Sequence, residues 1–418
     1  MSDAATSPTH EPPPAQPLPR NVKVLGLVSL FNDIGSEMIY PLLPYFLINV
    51  LGGNKLWLGI IEGLADSAAS LLKLWSGGRS DQAGSRKGFV LVGYVMTALV
   101  RPLIGITVAP WQLFLIRISD RLGKGIRTAP RDALIADSTD PRNRGRAFGF
   151  HRAMDHIGAA VGPLIMAGLL LLWPNALETI FLWTIVPGVA VIALLVFGLR
   201  EAPATSPPKE KVRLTLAPFD RNFKLYLVAL IVFTLGNSSD AFLLIRAGEL
   251  GVSKEMLPVL WCVFHVVKST GNFTLGAAVD RFGPRPFLFG GWLFYAGVYL
   301  AFGLVTEETG AWTVWVFFLA YALYYSMTEP AEKTFVAILV GAERKGLAYG
   351  WYNFALGIAT LPASLIFGFL YYQFDAITAF GWSAAQALAA TVILFFVREN
   401  QELRTNGEQR RIRNETAP

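Results

Sequence analysis

Runs of apolar residues, broken by short polar stretches, recur along nearly the whole chain. A helix needs about 20 such residues to cross the hydrocarbon of a bilayer. The runs predict helices over 22–50, 57–77, 88–108, 112–135, 147–172, 179–199, 223–246, 256–280, 286–305, 312–338, 347–372 and 379–398. The fourth and tenth carry the most polar groups. The breaks alternate in character: 78–87, 136–146, 200–222, 281–285 and 339–346 hold 15 Lys and Arg, while the intervening set holds only Lys55 and Lys254. Basic connectors stay on the cytoplasmic side, so both termini are expected in the cytoplasm.

One charged pattern occurs twice. Gly77-Gly-Arg-Ser-Asp81-Gln-Ala-Gly84-Ser-Arg86-Lys87 and Gly276-Ala-Ala-Val-Asp280-Arg281-Phe-Gly283-Pro-Arg285 share G-x-x-x-D-x-x-G followed by a base. At a shift of 201, Gly35 meets Gly236, Lys23 meets Lys224, and Gly145 and Gly149 meet Gly346 and Gly350. Near a shift of 200, Thr128 and Pro130 meet Thr328 and Pro330. Such matches predict a duplicated six-helix unit, with a site between the repeats. The expected architecture is an all-α membrane protein of twelve transmembrane helices in two pseudo-symmetric six-helix bundles. Its parts are a disordered cytoplasmic tail (1–21), an N-terminal bundle (22–200), a cytoplasmic linker (201–221), a C-terminal bundle (222–398) and a second tail (399–418).

Composition agrees with a lipid environment. Of 418 residues, 53% are hydrophobic and 16% charged, with mean hydropathy +0.44, against roughly 25% charged in a soluble domain. The net charge of +6 is accounted for by topology, so no nucleic-acid partner is expected. The first 20 residues lack a basic start followed by an apolar core and do not read as a signal peptide. The single cysteine, Cys262, allows no intrachain disulfide. No metal-ligand spacing and no nucleophile triad is present, and Gly123-Lys124-Gly125 lacks the rest of a phosphate loop. The expectation is therefore not an enzyme, with no metal and no cofactor.

The doubled loops, in these gaps between apolar runs, resemble the signature of the major facilitator superfamily over nearly the full helical length. Gly149-x8-Gly158-x3-Gly162-Pro163 resembles the fifth-helix motif of its proton-coupled antiporters, with Met166 and Ala167 where that motif ends in two glycines. Gly35-x5-Pro41-Leu-Leu-Pro44 is similar to the opening helix of its twelve-helix drug and metabolite exporters. The resemblance implies alternating access and favours antiport. It also implies a cytoplasmic gate formed by Gly77, Asp81, Arg86 and Lys87 with Gly276, Asp280, Arg281 and Arg285, the glycines letting backbones approach closely.

Candidate chemistry sits inside the predicted spans. Arg117, Asp120, Arg121, Lys124, Arg127 and Arg131 recur at steps of three and four, which places them on one helix face. Charges in hydrocarbon cost at least about 2.5 kcal/mol, so this stripe is expected to face water or partners. It either leaves free positive potential for an anionic substrate or is neutralised by acids. Those acids are Asp33 and Glu37, beside Asn32 and Tyr40, and Glu62 and Asp66 on the second span; all four are candidates for proton coupling. Arg152 and Asp155 are expected to close the cytoplasmic end by pairing with the fourth span. In the second half, Asn237, Asp240, His265, Lys268, Tyr321, Tyr325 and Glu329 are expected to line the substrate cavity.

The predicted activity is proton-coupled antiport, exporting a small amphipathic or anionic molecule from a monomer in the inner membrane, with protons and lipid as the other partners. Two other readings stay open: a proton-independent exchanger of organic or phosphorylated anions, and a transport-fold receptor or lipid-handling protein.

Overall fold

A computed structural model of the chain describes residues 17–83, 85–140, 143–201, 215–340 and 345–398. The predicted tails, most of the linker and Gly84 of the first signature lie largely or wholly outside them. Among the described residues the regular structure is helical: α1 (Arg20–Glu37), α2 (Leu43–Tyr45), α3 (Lys55–Ala83), α4 (Lys87–Val100), α5 (Pro110–Asp137), α6 (Arg144–Leu172), α7 (Leu177–Leu182), α8 (Ile185–Ala193), α9 (Arg221–Gly236), α10 (Ala241–Glu249), α11 (Leu257–Phe282), α12 (Pro284–Leu304), α13 (Trp312–Val340), α14 (Lys345–Gln373) and α15 (Ala376–Phe395).

The departures from the predicted spans have local causes. The first span breaks after Glu37 into a 3-10 turn, α2 and a π turn, around Pro41 and Pro44. A proline removes an amide donor and clashes with the preceding turn. Pro102 likewise turns the end of α4 into the 3-10 stretch Arg101–Ile106. The seventh span is split between α9 and α10 at Asn237–Asp240. Both signature sequences enter the helices before them: Asp81 lies in the last turn of α3, and Asp280 and Arg281 in the last turn of α11.

Packing partners repeat along the chain. α1 packs on α6 and α8, α3 on α5, and α4 on α5 and α8; in the same order α9 packs on α14 and α15, α11 on α13, and α12 on α13 and α15. Polar contacts repeat too. Asn21 accepts from the Arg200 amide at 3.1 Å and Asn222 from the Arg398 amide at 3.1 Å. Lys87 donates to the Leu199 carbonyl at 2.7 Å and Arg285 to the Phe395 carbonyl at 2.9 Å, so the base after each signature caps the last helix of its own set. The sets meet along two seams, α3 with α14 and α6 with α11.

The apolar core is continuous across both sets around residues 38–61, 166–181 and 241–264. A second cluster around Val22, Tyr94, Leu134 and Leu195 stays within the first set. The joined core therefore lies away from the charged loops. Among the described residues, seven stretches are long and apolar enough to cross a membrane: Lys87–Ile106, Arg144–Leu172, Leu177–Gly198, Arg221–Glu249, Pro284–Leu304, Leu347–Gln373 and Ala376–Phe395.

Candidate functional site

α5 packs against both α3 and α4 and carries more of the interior charge than any other helix. At 100° per residue its six ionised positions fan over an arc of about 120°, and the structure divides them by direction. Arg117 and Arg121 turn to α3: Arg117 donates to Glu62 at 2.7 and 3.1 Å, and Arg121 pairs with Asp66 at 3.1 Å. Asp120 turns to the end of α4, where Arg101 meets it at 2.7 Å and also donates to the Asn32 carbonyl. Arg127 is buried over the Tyr94 ring, 4.2 Å from its centroid, and reaches Thr97 at 3.3 Å. Arg131 pairs with its neighbour Asp132. The expected single stripe is therefore corrected: α5 touches two helices, and Arg127 is taken up in the wall with α4 rather than in a substrate cavity. Lys124, mid-arc, is exposed, with no carboxylate within 4 Å among the described residues, although Asp33, Asp66 and Lys73 are in electrostatic reach.

The acids differ in their partners. Glu62 and Asp66 are held by arginines. Asp33 has no Lys or Arg within 4 Å among the described residues and accepts from the Asn32 amide at 2.8 Å. Glu37 accepts from the Trp261 indole at 2.8 Å and lies 3.9 Å from His265, both on α11. Two glycines of α6 explain how α1 presents this pair. A Cβ on Gly158 would stand 2.6 Å from the Leu30 carbonyl oxygen and 2.9 Å from the Asp33 Cβ; one on Gly162 would stand 2.7 Å from the Ile34 oxygen and 3.1 Å from the Glu37 Cβ. Their missing side chains let α1 lie against α6 behind both carboxylates. Pro163 is buried beside them. Gly149 is exposed and has nothing within 4 Å of a built Cβ. Gly162→Leu is expected to force α1 off α6, lowering the unfolding temperature and abolishing activity; wild-type melting would contradict this packing.

The second set supplies the other wall. Tyr321 and Tyr325 both donate to Asp240, the latter at 3.2 Å. Lys268 lies 3.9 Å from the centre of the Tyr325 ring and 3.6 Å from Glu329, which also accepts from Asn272 at 2.7 Å. Tyr321 is fully buried and serves as support for Asp240. Asn237 ends α9 and is half-buried.

Contacts between the sets concentrate away from the charged loops. Tyr40 lies 3.5 Å from Ser239, and Lys254 donates to the Pro174 carbonyl at 2.8 Å. Lys55 pairs with Glu249 at 2.6 Å over the Tyr371 ring, and Tyr371 donates to the same carboxylate. Nearer the loops, Ser67 donates to the Gly357 carbonyl at 2.9 Å and Ser269 meets His156 at 3.0 Å across the two seams.

No ion pair joins the predicted gate residues across the sets among the described residues. Arg86 pairs with Asp81 at 3.1 Å and Asp137 at 2.7 Å, all in the first set. Asp280 and Arg281 are exposed. Asp155 accepts from Ser29 of α1 and lies 3.6 Å from His151 and 3.9 Å from Arg152; its near partners are on α1 and α6, not on the fourth span as expected. Gly77 stands close to Ala129 of α5, as expected, but a Cβ on Gly276 would meet nothing within 4 Å, so no close approach occurs there. Trp261 and the Lys55–Glu249 pair went unrecognised in the sequence. Lys55 did carry a signal, being one of two bases among the connectors otherwise without them.

The family model described as Major Facilitator Superfamily matches residues 25–263 and again 225–418. The chain belongs to this superfamily. It is a multi-pass membrane transporter of that type. It is 31% identical over 386 residues to an uncharacterised MFS-type transporter of Methanocaldococcus jannaschii, covering 91% of this chain and 95% of the relative. It is 25% identical over 340 residues to the multidrug resistance protein MdtH of Yersinia pestis, covering 79% and 81%. The fold is similar to that of a bacterial homologue of the human lysosomal transporter Spinster, solved inward-facing and occupied, with TM-score 0.69, 16% identity and 92% and 96% coverage.

Proposed function

We propose that this transporter is a proton-coupled antiporter of the cytoplasmic membrane, exporting a small amphipathic or anionic molecule. In this reading twelve helices cross the membrane as two six-helix bundles with both termini inside. The bundles rock about a site between them, and the signature loops latch the cytoplasmic end when the far end opens. The observation that carries the proposal is the contrast among the interior acids. Glu62, Asp66 and Asp120 are tied to arginines, while among the described residues Asp33 has no Lys or Arg within 4 Å. Such a carboxylate exchanges a proton without breaking an ion pair. Similarity to a multidrug resistance protein supports the direction of export.

Proteoliposomes test the coupling. An imposed proton gradient is expected to drive substrate flux, and flux indifferent to the gradient would remove the claim. A proton-independent anion exchanger is the second reading, favoured by the exposed Lys124, which has no carboxylate within 4 Å among the described residues; substrate entry that leaves the pH of weakly buffered vesicles unchanged would select it.

The far-end closure gives its own test. Lys55→Gln leaves Glu249 without its cross-set cation, which is expected to favour opening there. Ser239→Cys in a Cys262→Ser background should then label several-fold faster with an impermeant maleimide. Unchanged labelling would show that the pair closes nothing.

A further inference from the structure

At the loop end of the α6–α11 seam an aromatic ring and a guanidinium stand exposed. His156 and Ser269 touch across the seam at 3.0 Å. One turn nearer the loops on the same helix faces stand Arg152 of α6 and Phe273 of α11. Neither is covered by the opposite helix: the Arg152 side chain is 60% exposed and Phe273 is 86% exposed. Arg152 lies 3.9 Å from Asp155 and in electrostatic reach of Glu329 across the seam, with neither carboxylate at hydrogen-bond distance, so the guanidinium keeps donors for another partner. Farther from the loops stands Lys268, tied to Glu329 only at 3.6 Å. On α3, Leu71 and Trp75 are exposed as well, but Trp75 stands against Phe89 of α4 within the first set, and the nearby base Lys73 lies within reach of Asp66 and Arg121 in the interior.

We propose that the α6–α11 seam is a lateral binding portal for an anionic amphiphile held in the membrane leaflet at the loop end. The chain of the amphiphile lies along Phe273 in the hydrocarbon, and its anionic head is taken by Arg152, which binds such groups through two parallel donors. Charge complementarity selects this occupant: the exposed base at the seam meets an anionic head and repels a cationic one. The proposal rests on the transport reading only in that the bound molecule would be cargo; binding stands apart from any gradient.

The probe is dodecyl phosphate with a diazirine in its tail, applied to the full chain in phosphatidylcholine nanodiscs, with cross-linked residues read by mass spectrometry. Labelling is expected to saturate and to cluster around Phe273. Arg152→Gln is expected to weaken it about ten-fold, the scale of one charge-assisted contact, with Arg152→Lys restoring part. Phe273→Ser should weaken it as well. Both positions are exposed, so these variants are expected to fold normally. A dodecyltrimethylammonium analogue should label no specific site, and inorganic phosphate should not compete. Labels spread evenly over lipid-facing helices, equal labelling by the cationic analogue, or wild-type labelling of Arg152→Gln would overturn the proposal, and competition by inorganic phosphate would assign the site to a free anion instead. Saturable labelling without proton-driven flux would sink the antiport reading alone.

Discussion

Glu62→Ala is expected to destabilise the protein by about 3–5 kcal/mol, because it leaves the buried Arg117 guanidinium without the carboxylate that neutralises it. Glu62 is 2% exposed and Arg117 6%. Asp120 stands 3.7 Å from Arg117 but is already engaged by Arg101, so it replaces little of the lost charge. Thermal unfolding in detergent measures the loss. The double variant Glu62→Leu with Arg117→Met should recover most of it, since a buried ion pair and an apolar pair of similar size are often close in stability. If the single variant melts like the wild type, the pair is not structural and Glu62 returns to the candidates for proton exchange.

Asp33→Asn is expected to abolish proton-driven transport while leaving the fold intact. The amide keeps the volume of the carboxylate but carries no exchangeable charge. No arginine or lysine lies within 4 Å of Asp33 among the described residues, so none is left unpaired. Substrate counterflow without a gradient should persist, which separates lost coupling from lost binding. Asp66→Asn serves as the contrast: it removes the partner of Arg121 and should impair stability and transport together. Full proton-driven flux in Asp33→Asn would move the proton to another acid, with Glu37 next, since it is bonded across the sets by Trp261.

The helical architecture was legible because a spanning run has to be about as long as the bilayer is thick, but the prolines at 41, 44 and 102 lay inside runs read as single spans, and regular helix breaks there. The glycines at 158 and 162 were read from a motif, and their contacts with α1 give that motif a physical meaning. The fan of charges on α5 was not legible. A three-and-four spacing fixes a face but leaves it about 120° wide, and only the positions of α3 and α4 decide which edge each charge turns to. Lys124 is exposed because it sits between those edges. Contacts such as Lys55 with Glu249 and Glu37 with Trp261 join residues about 200 apart, beyond the reach of any local pattern.

The interior ion pairs bear on how the protein reaches its membrane. α3 and α5 are not among the stretches apolar enough to cross alone, and their most polar residues are the ones that neutralise each other. Insertion one segment at a time would strand Glu62 or Arg117 in lipid. In the proposed twelve-helix reading α3 and α5 are therefore expected to enter the bilayer as a pair, and biogenesis, more than the finished fold, is where a lost partner would first be felt.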